Sequence, residues 1–360
     1  MSDERKKCGE WMLGREIGRG AFGVVYLGKR ADGATAAVKV CIRDELSADR
    51  YERELRGARL YRSIPASEGL VRLLELGECE WGFYEVLELA DEEFGAQSLA
   101  ASDYRPKTLS RVIAGEKALS VKESLKLGLA LAKGLVTLQR HHLLHRDIKP
   151  GNVIYVRGRP VLSDPGLLVD EAEAVSLVGT PGYVPPENFV AAGGDVYSLG
   201  LTLKAASFGR PVDELEKGPT LEADTDNPLF PAWWRILNKA TNPDAARRYR
   251  SAKALLRELQ AYRRRIALSV FSWKVPFFVE VAVIGLFLLM GWAVFKAKLV
   301  PYGYTSREDR ERAAAARAID EFVARRVKED MPDVRKAIKD IRTNVERSTK
   351  EFKRDIQKLP

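Results

Sequence analysis

The sequence predicts an α+β protein of two lobes: a small sheet-rich lobe over residues 1–90 and a larger helical lobe over residues 91–265. One transmembrane helix at 275–295 and a charged helical tail at 306–357 are expected to follow. Three observations predict this. Met12 to Val40 alternates apolar and polar side chains, with glycines at Gly18, Gly20, Gly23, Gly28 and Gly33, the pattern of strands joined by tight turns. After Ala90 the apolar spacing changes to the three-and-four rhythm of helices. From Val275 to Phe295 the chain reads VPFFVEVAVIGLFLLMGWAVF, which at about 1.5 Å per residue spans about 31 Å, close to a hydrocarbon core of about 30 Å.

Each element follows in order. Asp32-Gly33 marks a hairpin turn among the first strands. Ser47 is positioned as an N-cap for a helix running to Tyr61, with Leu55, Ala58 and Leu60 as inward positions. Leu70 to Leu76 and Phe83 to Leu89 read as two further strands, completing a small sheet with one helix. The stretch DEEFGAQSLAASDYRPKTLSRVI is polar and longer than an ordinary connection, so it is expected to be a surface insertion past the junction of the lobes. Val121 to His141 carries Leu125, Leu129, Ala132, Leu135, Val136 and Leu138 at helical spacing, and Asp195 to Ala206 and Ala252 to Tyr262 look similar.

A hydrophobic content of 46% suits a well-cored protein and argues against disorder. The net charge of +9 comes from basic residues interleaved with acids, which describes a solvated surface rather than a nucleic-acid partner; Arg263-Arg264-Arg265 is the local exception. Cys8, Cys41 and Cys79 are odd in number and lack metal-ligand spacing, as expected of core or strand residues in a reduced compartment. The opening MSDERKKCGEWMLG has no apolar run of signal-peptide length, so the first domain is expected to stay in the cytoplasm.

Gly18-Arg19-Gly20-Ala21-Phe22-Gly23 fits a turn between strands in which missing side chains let backbone N–H groups approach a polyphosphate. A dinucleotide site would open a helix here, whereas Val24-Val25-Tyr26-Leu27 continues as a strand; a plain glycine-rich hairpin is the alternative. Lys39 ends the apolar run Ala36-Ala37-Val38, where a buried ammonium needs an anion such as a phosphate or Glu54; otherwise it snorkels from a strand end. The run His145-Arg146-Asp147-Ile148-Lys149-Pro150-Gly151-Asn152 is the most specific signal, with carboxylate, lysine and amide at catalytic-loop spacing. Ser163-Asp164-Pro165-Gly166 adds a second carboxylate, and Gly179-Thr180-Pro181-Gly182-Tyr183-Val184-Pro185-Pro186-Glu187 closes the segment after it.

In order and spacing these motifs resemble the eukaryotic-like (Hanks-type) serine/threonine protein kinases of bacteria, over Trp11 to Arg265. The resemblance implies the two-lobed protein kinase fold, ATP with Mg²⁺ or Mn²⁺, and protein substrates. It implies that Gly18, Gly20 and Gly23 cover the phosphates, and that Ile17, Val25 and Ala37 belong to the nucleotide site. It further implies that Lys39 contacts the α- and β-phosphates and pairs with Glu54, that Leu87 is the gatekeeper, and that Glu88 to Ala90 are the hinge that reads the adenine. By the same resemblance Asp147 would accept the substrate hydroxyl proton, Lys149 would steady the γ-phosphoryl group, and Asn152 and Asp164 would hold the metal. Asp195 braces the catalytic loop, and Glu187 pairs with Arg248 or with Arg247, one residue away.

The chemistry is consistent on its own terms. Phosphoryl transfer needs neutralised phosphates and an oriented nucleophile, with little covalent help, so carboxylate, amide and lysine groups suffice. All three histidines lie within His141 to His145, so no paired-histidine metal site competes. Pro165 departs from the family's usual phenylalanine; it fixes φ, removes a donor and cannot fill an aromatic pocket. The expectation is an active kinase with a stiffened metal loop, and an ATP-binding pseudokinase that signals by docking is the alternative. Ser176 and Thr180 are the only aliphatic hydroxyls between Asp164 and Glu187. Arg146 could receive a phosphate there, while Asp170, Glu171 and Glu173 already supply negative charge and allow constitutive activity.

Glu280 interrupts the apolar 275–295 run near one end, and Lys296 and Lys298 can snorkel at the other. The ATP requirement places the kinase domain in the cytoplasm and the tail outside, a single-pass arrangement in the cell membrane. In the tail, Val327, Met331, Val334, Ile338, Ile341, Val345, Ser348 and Phe352 follow a coiled-coil rhythm. A homodimer through this tail, or contact with an extracytoplasmic partner, is expected; a solvated amphipathic helix is the alternative.

Overall fold

The computed structural model describes residues 7–20, 23–93, 104–115, 117–173, 179–187, 191–220, 223–267 and residue 321. The apolar run at 275–295 and, residue 321 apart, the tail at 306–357 lie outside the described residues, as does Ser176. No helix among the described residues is long and apolar enough to cross a membrane.

The N-terminal part is one antiparallel sheet: β1 (Lys7–Cys8), β2 (Trp11–Gly20), β3 (Gly23–Lys29), β4 (Thr35–Ile42), β5 (Leu73–Cys79) and β6 (Gly82–Leu87), in the order β1-β2-β3-β4-β6-β5. Gly33 turns the β3–β4 hairpin at φ +88°, where a side chain would be strained, and Asp32 fixes the turn by accepting from the Ala34 N–H at 3.0 Å. The sheet curls until its ends meet. Glu75 on β5 accepts from the Trp11 indole at 3.1 Å and from the Tyr84 hydroxyl at 2.6 Å. Cys8 and Cys79 lie close enough to interact, and no cysteine forms a disulfide. The strand expected at Leu70 to Leu76 is shifted to Leu73–Cys79, because Val71 instead donates its N–H to the Leu162 carbonyl.

Helix α1 (Ala48–Arg62) lies between β4 and β5 in the chain. Ser47 precedes it, but its hydroxyl caps nothing; its carbonyl begins the helix by accepting from Arg50 and Tyr51. The buried face is Tyr51, Glu54, Gly57, Ala58 and Tyr61, a three-and-four stripe, while the expected Leu55 and Leu60 are only half-buried. A glutamate therefore sits on the inward face.

The helical part starts with α2 (Leu109–Ala114), capped by the Thr108 hydroxyl. This corrects the reading of that stretch as a surface insertion at its C-terminal end: Leu109 and Ile113, one turn apart, are buried. Helix α3 (Val121–Arg140) opens with a capping box between Ser120 and Glu123 and buries Leu131, Leu135 and Leu138 completely. Each such leucine contributes about 1.5–3 kcal/mol relative to exposure. The short strands β7 (Leu143–Leu144), β8 (Val153–Val156), β9 (Arg159–Leu162) and β10 (Val169–Asp170) form two small ladders, β8 with β9 and β7 with β10. These hold the loops between them. Helix α4 (Gly193–Phe208) is buried nearly throughout, and α5 (Phe230–Ala240) packs Trp233, Ile236, Leu237 and Ala240 inward. Residues 252–267 form a final helix, α6.

The two parts meet closely at Gly69. A Cβ there would lie 1.9 Å from the Ala130 carbonyl of α3, and its φ is +83°, so glycine is required twice over.

Candidate active site

Alternation along β4 puts Ala37 and Lys39 on one face of the sheet. Their cross-strand partners share it: Val25 opposite Lys39 on β3, and Glu85 opposite Lys39 and Leu87 opposite Ala37 on β6. The Lys39 ammonium is buried among three carboxylates, with Asp164 at 2.6 Å, Glu54 at 3.3 Å and Glu85 at 3.8 Å. Burial alone would push its pKa down, but Asp164, Glu85 and Glu54 together hold it well above the ordinary lysine value. One cation cannot balance three acids. Burial raises the Glu54 pKa to about 7 against the pull of Lys39, and raises that of Glu85 as well. Asp164 goes the other way: burial opposes its charge, yet Lys39 leaves its pKa below the usual value.

The catalytic-loop run lies between β7 and β8 and is fixed from beneath by α4. Asp195, completely buried, accepts from the His145 N–H at 2.8 Å and the Arg146 N–H at 2.9 Å. These bonds hold Arg146 at φ +64°, a left-handed conformation that costs a non-glycine residue about 1–3 kcal/mol. The Arg146 side chain is buried and donates to the Leu167 carbonyl at 2.9 Å. Beside it, the Asp147 carboxylate receives three groups. The Thr180 hydroxyl donates to Oδ1 at 2.6 Å, the Asn152 amide nitrogen donates to Oδ2 at 2.7 Å, and Lys149 Nζ lies 2.9 Å from Oδ2. Lys149 also donates to the Thr180 hydroxyl at 2.7 Å. Thr180, with Ser176 a candidate for phosphorylation, is thus seated on the Asp147 carboxylate.

Asp164 itself is left-handed at φ +59° and leads into a tight turn over Pro165–Leu167. The turn backs directly onto α1. A Cβ at Gly57 would lie 3.0 Å from the Gly166 carbonyl and 3.1 Å from that of Pro165, and a Cβ at Gly166 would lie 2.0 Å from Glu54 Oε2. Pro165 is buried in this seam.

Asp164 and Asn152 suit a hard divalent cation. The Asp164 side chain is 32% exposed, unlike its buried neighbours, and Asn152 commits its nitrogen to the Asp147 carbonyl and carboxylate, which turns its amide oxygen away from them. At the glycine turn, a Cβ on Gly20 would meet nothing within 4 Å and one on Gly18 only Val25 at 3.8 Å, so space for phosphates remains above the strands. Ile17 is half-buried on β2. At the junction, Glu88 donates its N–H to the Arg72 carbonyl, and the Ala90 carbonyl accepts from Tyr104 at 2.9 Å.

Arg248 answers the pairing question. Its guanidinium makes two parallel bonds of 2.6 Å to Glu187, with its side chain 1% exposed, whereas Arg247 is exposed and pairs with Asp244.

Sequence reasoning missed Glu85 and the role of Thr180. Cross-strand pairing of β4 with β6 would have found the first; the second needs the path of the segment after Asp164.

A sheet-borne lysine bound to a helix carboxylate, facing a loop that joins aspartate, lysine and asparagine, is the set of groups that phosphoryl transfer without a covalent nucleophile requires. The protein kinase domain family matches residues 11–270, and the chain belongs to that family. It is 36% identical over 224 residues to the serine/threonine-protein kinase BRI1-like 2 of Arabidopsis thaliana, covering 57% of this chain and 18% of that protein. It is 32% identical over 214 residues to the serine/threonine-protein kinase PknK of Mycobacterium tuberculosis, covering 56% of this chain and 18% of that one. It is 29% identical over 262 residues to the serine/threonine-protein kinase AfsK of Streptomyces griseus, covering 65% and 30%. The chain therefore spans less than a third of the length of these relatives.

Proposed function

We propose that this chain is a protein serine/threonine kinase that transfers the γ-phosphoryl group of ATP to hydroxyls of protein substrates. The observation that carries the reading is the Thr180 hydroxyl, 2.6 Å from Asp147 Oδ1 and 2.7 Å from Lys149 Nζ, because it orients a carboxylate and a lysine that already receive an aliphatic hydroxyl, and beside it a substrate hydroxyl can give up its proton. A substrate serine or threonine entering there donates to Asp147, and Lys149 holds the incoming oxygen and the phosphoryl oxygens together. Lys39 grips the nucleotide phosphates, and Glu54 keeps the lysine in place. The missing side chains at Gly18, Gly20 and Gly23 let the backbone of the turn approach those phosphates, while Ile17, Val25, Ala37, Leu87, Glu88 and Ala90 enclose the base. Asn152 and Asp164 hold Mg²⁺ or Mn²⁺, and the bound metal–ATP complex supplies the phosphoryl group and offsets its charge.

Incubating the full chain with Mg²⁺ and labelled ATP tests the reading, with Asp147→Asn as the control. Transfer should fall by about 10²–10⁴-fold in the variant. Nucleotide binding without transfer in the unaltered chain would instead mark a pseudokinase that acts by docking.

The proposal extends to placement. The apolar run at 275–295 supports a single membrane pass between a cytoplasmic kinase domain of two lobes (1–90 and 91–265) and an extracytoplasmic tail (306–357) that pairs two copies. Protease treatment of sealed vesicles should digest only one side, and a tail that remains monomeric in ultracentrifugation would rule out the pairing.

A further inference from the structure

We infer that Glu85 is a second anchor for Lys39, a positioning residue borne by the sheet rather than by a helix, which keeps the lysine aimed at the nucleotide phosphates when Glu54 is out of contact. The inference rests on the nucleotide-binding half of the function proposed above.

Glu85 sits directly opposite Lys39 in the ladder between β4 and β6, which runs unbroken from Ala37 against Leu87 to Ile42 against Gly82. Its position is therefore tied to that of the lysine by backbone hydrogen bonds on both sides. Its side chain is 1% exposed and Oε1 lies 3.8 Å from Lys39 Nζ, the ion pair it makes among the described residues. Neither of its carboxylate oxygens has a hydrogen-bond partner, and Glu54 Oε1 has none either. Packing alone does not account for a glutamate here, since the other residues of β6 (Gly82, Phe83, Tyr84, Val86 and Leu87) are apolar or aromatic and equally buried. A buried carboxylate without hydrogen bonds is unfavourable, and an apolar residue of similar size would stabilise the strand. Among the described residues no group of three or more acidic, histidine or cysteine side chains is arranged to hold a metal ion, so the carboxylates gather around the lysine and not around a cation of their own. Attraction to Lys39 is what the geometry offers in return.

The two anchors differ in kind. Glu54 rides on α1, a helix that packs on the sheet, whereas the backbone of Glu85 cannot be displaced from that of Lys39 without breaking the ladder. Losing the helix contact still leaves an acid within ion-pair reach of the ammonium. Each anchor then substitutes partly for the other.

The experiment is a double-variant cycle in the full chain: Glu54→Gln, Glu85→Gln and both together, with Glu85→Leu as a further variant. It reads the affinity for a fluorescent ATP analogue with Mg²⁺, the KM for ATP, the KM for a protein substrate, and Tm. Each single variant should weaken nucleotide binding by less than about tenfold, and the pair should lose about tenfold or more beyond the product of the two. The KM for the protein substrate should not change, a split that a general loosening of the fold would not produce. Glu85→Leu should raise Tm and still weaken nucleotide binding, which separates positioning from stability. Effects that simply multiply, or wild-type nucleotide affinity in Glu85→Gln and Glu85→Leu in both backgrounds, would overturn the inference. Because binding is read independently of transfer, a chain that binds without transferring would overturn the kinase reading and leave the cycle to decide the anchor.

Discussion

Replacing Asp195 with asparagine probes how the catalytic loop is held. The carboxylate is completely buried and accepts from two successive backbone N–H groups at 2.8 and 2.9 Å. Asparagine keeps one oxygen and turns an amide nitrogen toward the other donor, leaving a buried N–H unpaired at about 1–3 kcal/mol and weakening the remaining bond by about 1 kcal/mol. Burial opposes the carboxylate's charge and raises its pKa, so removing the charge returns part of that loss. The net should be near 2 kcal/mol. For a domain of this size that corresponds to a drop in Tm of about 4–8 °C. The functional effect should exceed the stability effect. With one of the two backbone bonds lost and the other weakened, Arg146 is held less firmly at φ +64°, and Asp147 follows it in the chain. A displacement of about 1 Å can cost about 100-fold in turnover. Steady-state kinetics well below Tm should show that loss in kcat with little change in the KM for ATP, because Lys39 and the junction do not touch Asp195. Wild-type kcat in a folded Asp195→Asn variant would refute the bracing argument, whatever its Tm.

Thr180→Val removes the hydroxyl shared by Asp147 and Lys149. Turnover should fall by about tenfold, the worth of a hydrogen bond of about 1–1.5 kcal/mol, and Thr180→Ser should restore it. At Glu187, burial opposes the charge but the Arg248 bonds outweigh it and hold the pKa below the ordinary 4.5. A depressed carboxylate pKa gives stability that is present above that value and lost as pH falls through the folded one. The Tm gap between the wild type and Glu187→Gln should therefore be widest above pH 4.5 and close at lower pH; a constant gap would disprove the link. Gly69→Ala combines an unfavourable φ with a 1.9 Å clash against the Ala130 carbonyl. It should cost about 2–4 kcal/mol in thermal or urea unfolding, and a cost below about 1 kcal/mol would mean the backbone shifts freely.

Most of this arrangement was legible because its chemistry is local in the chain. Asp147, Lys149 and Asn152 fall within six positions, and the glycine turn within another six. The α3 stripe was plain from periodicity, while α5 was overlooked although Trp233, Ile236, Leu237 and Ala240 fall at three-and-four spacing. The six residues of α2 offer too few turns for periodicity to show. Glu54 was found because Lys39 demanded an acid on the next helix. Glu85 was hidden because its meaning depends on which strand lies beside β4, and the chain passes through α1 and β5 before β6 takes that place. Its polar character also contradicts the apolar run around it, so a reading by composition passes over it.

The bare contact between Gly57 on α1 and the turn at Pro165 and Gly166 has a mechanical meaning. With no side chain at Gly57, the helix approaches the turn after Asp164 backbone to backbone, with the Glu54 carboxylate packed against Gly166 beside it, and neither can be displaced far without pressing on the other. A ligand that draws α1 outward must do work on the turn, and one that rearranges the turn must do the same work on α1, so the two effects are equal in free energy. The smallest residues of the site thus serve as its gearing.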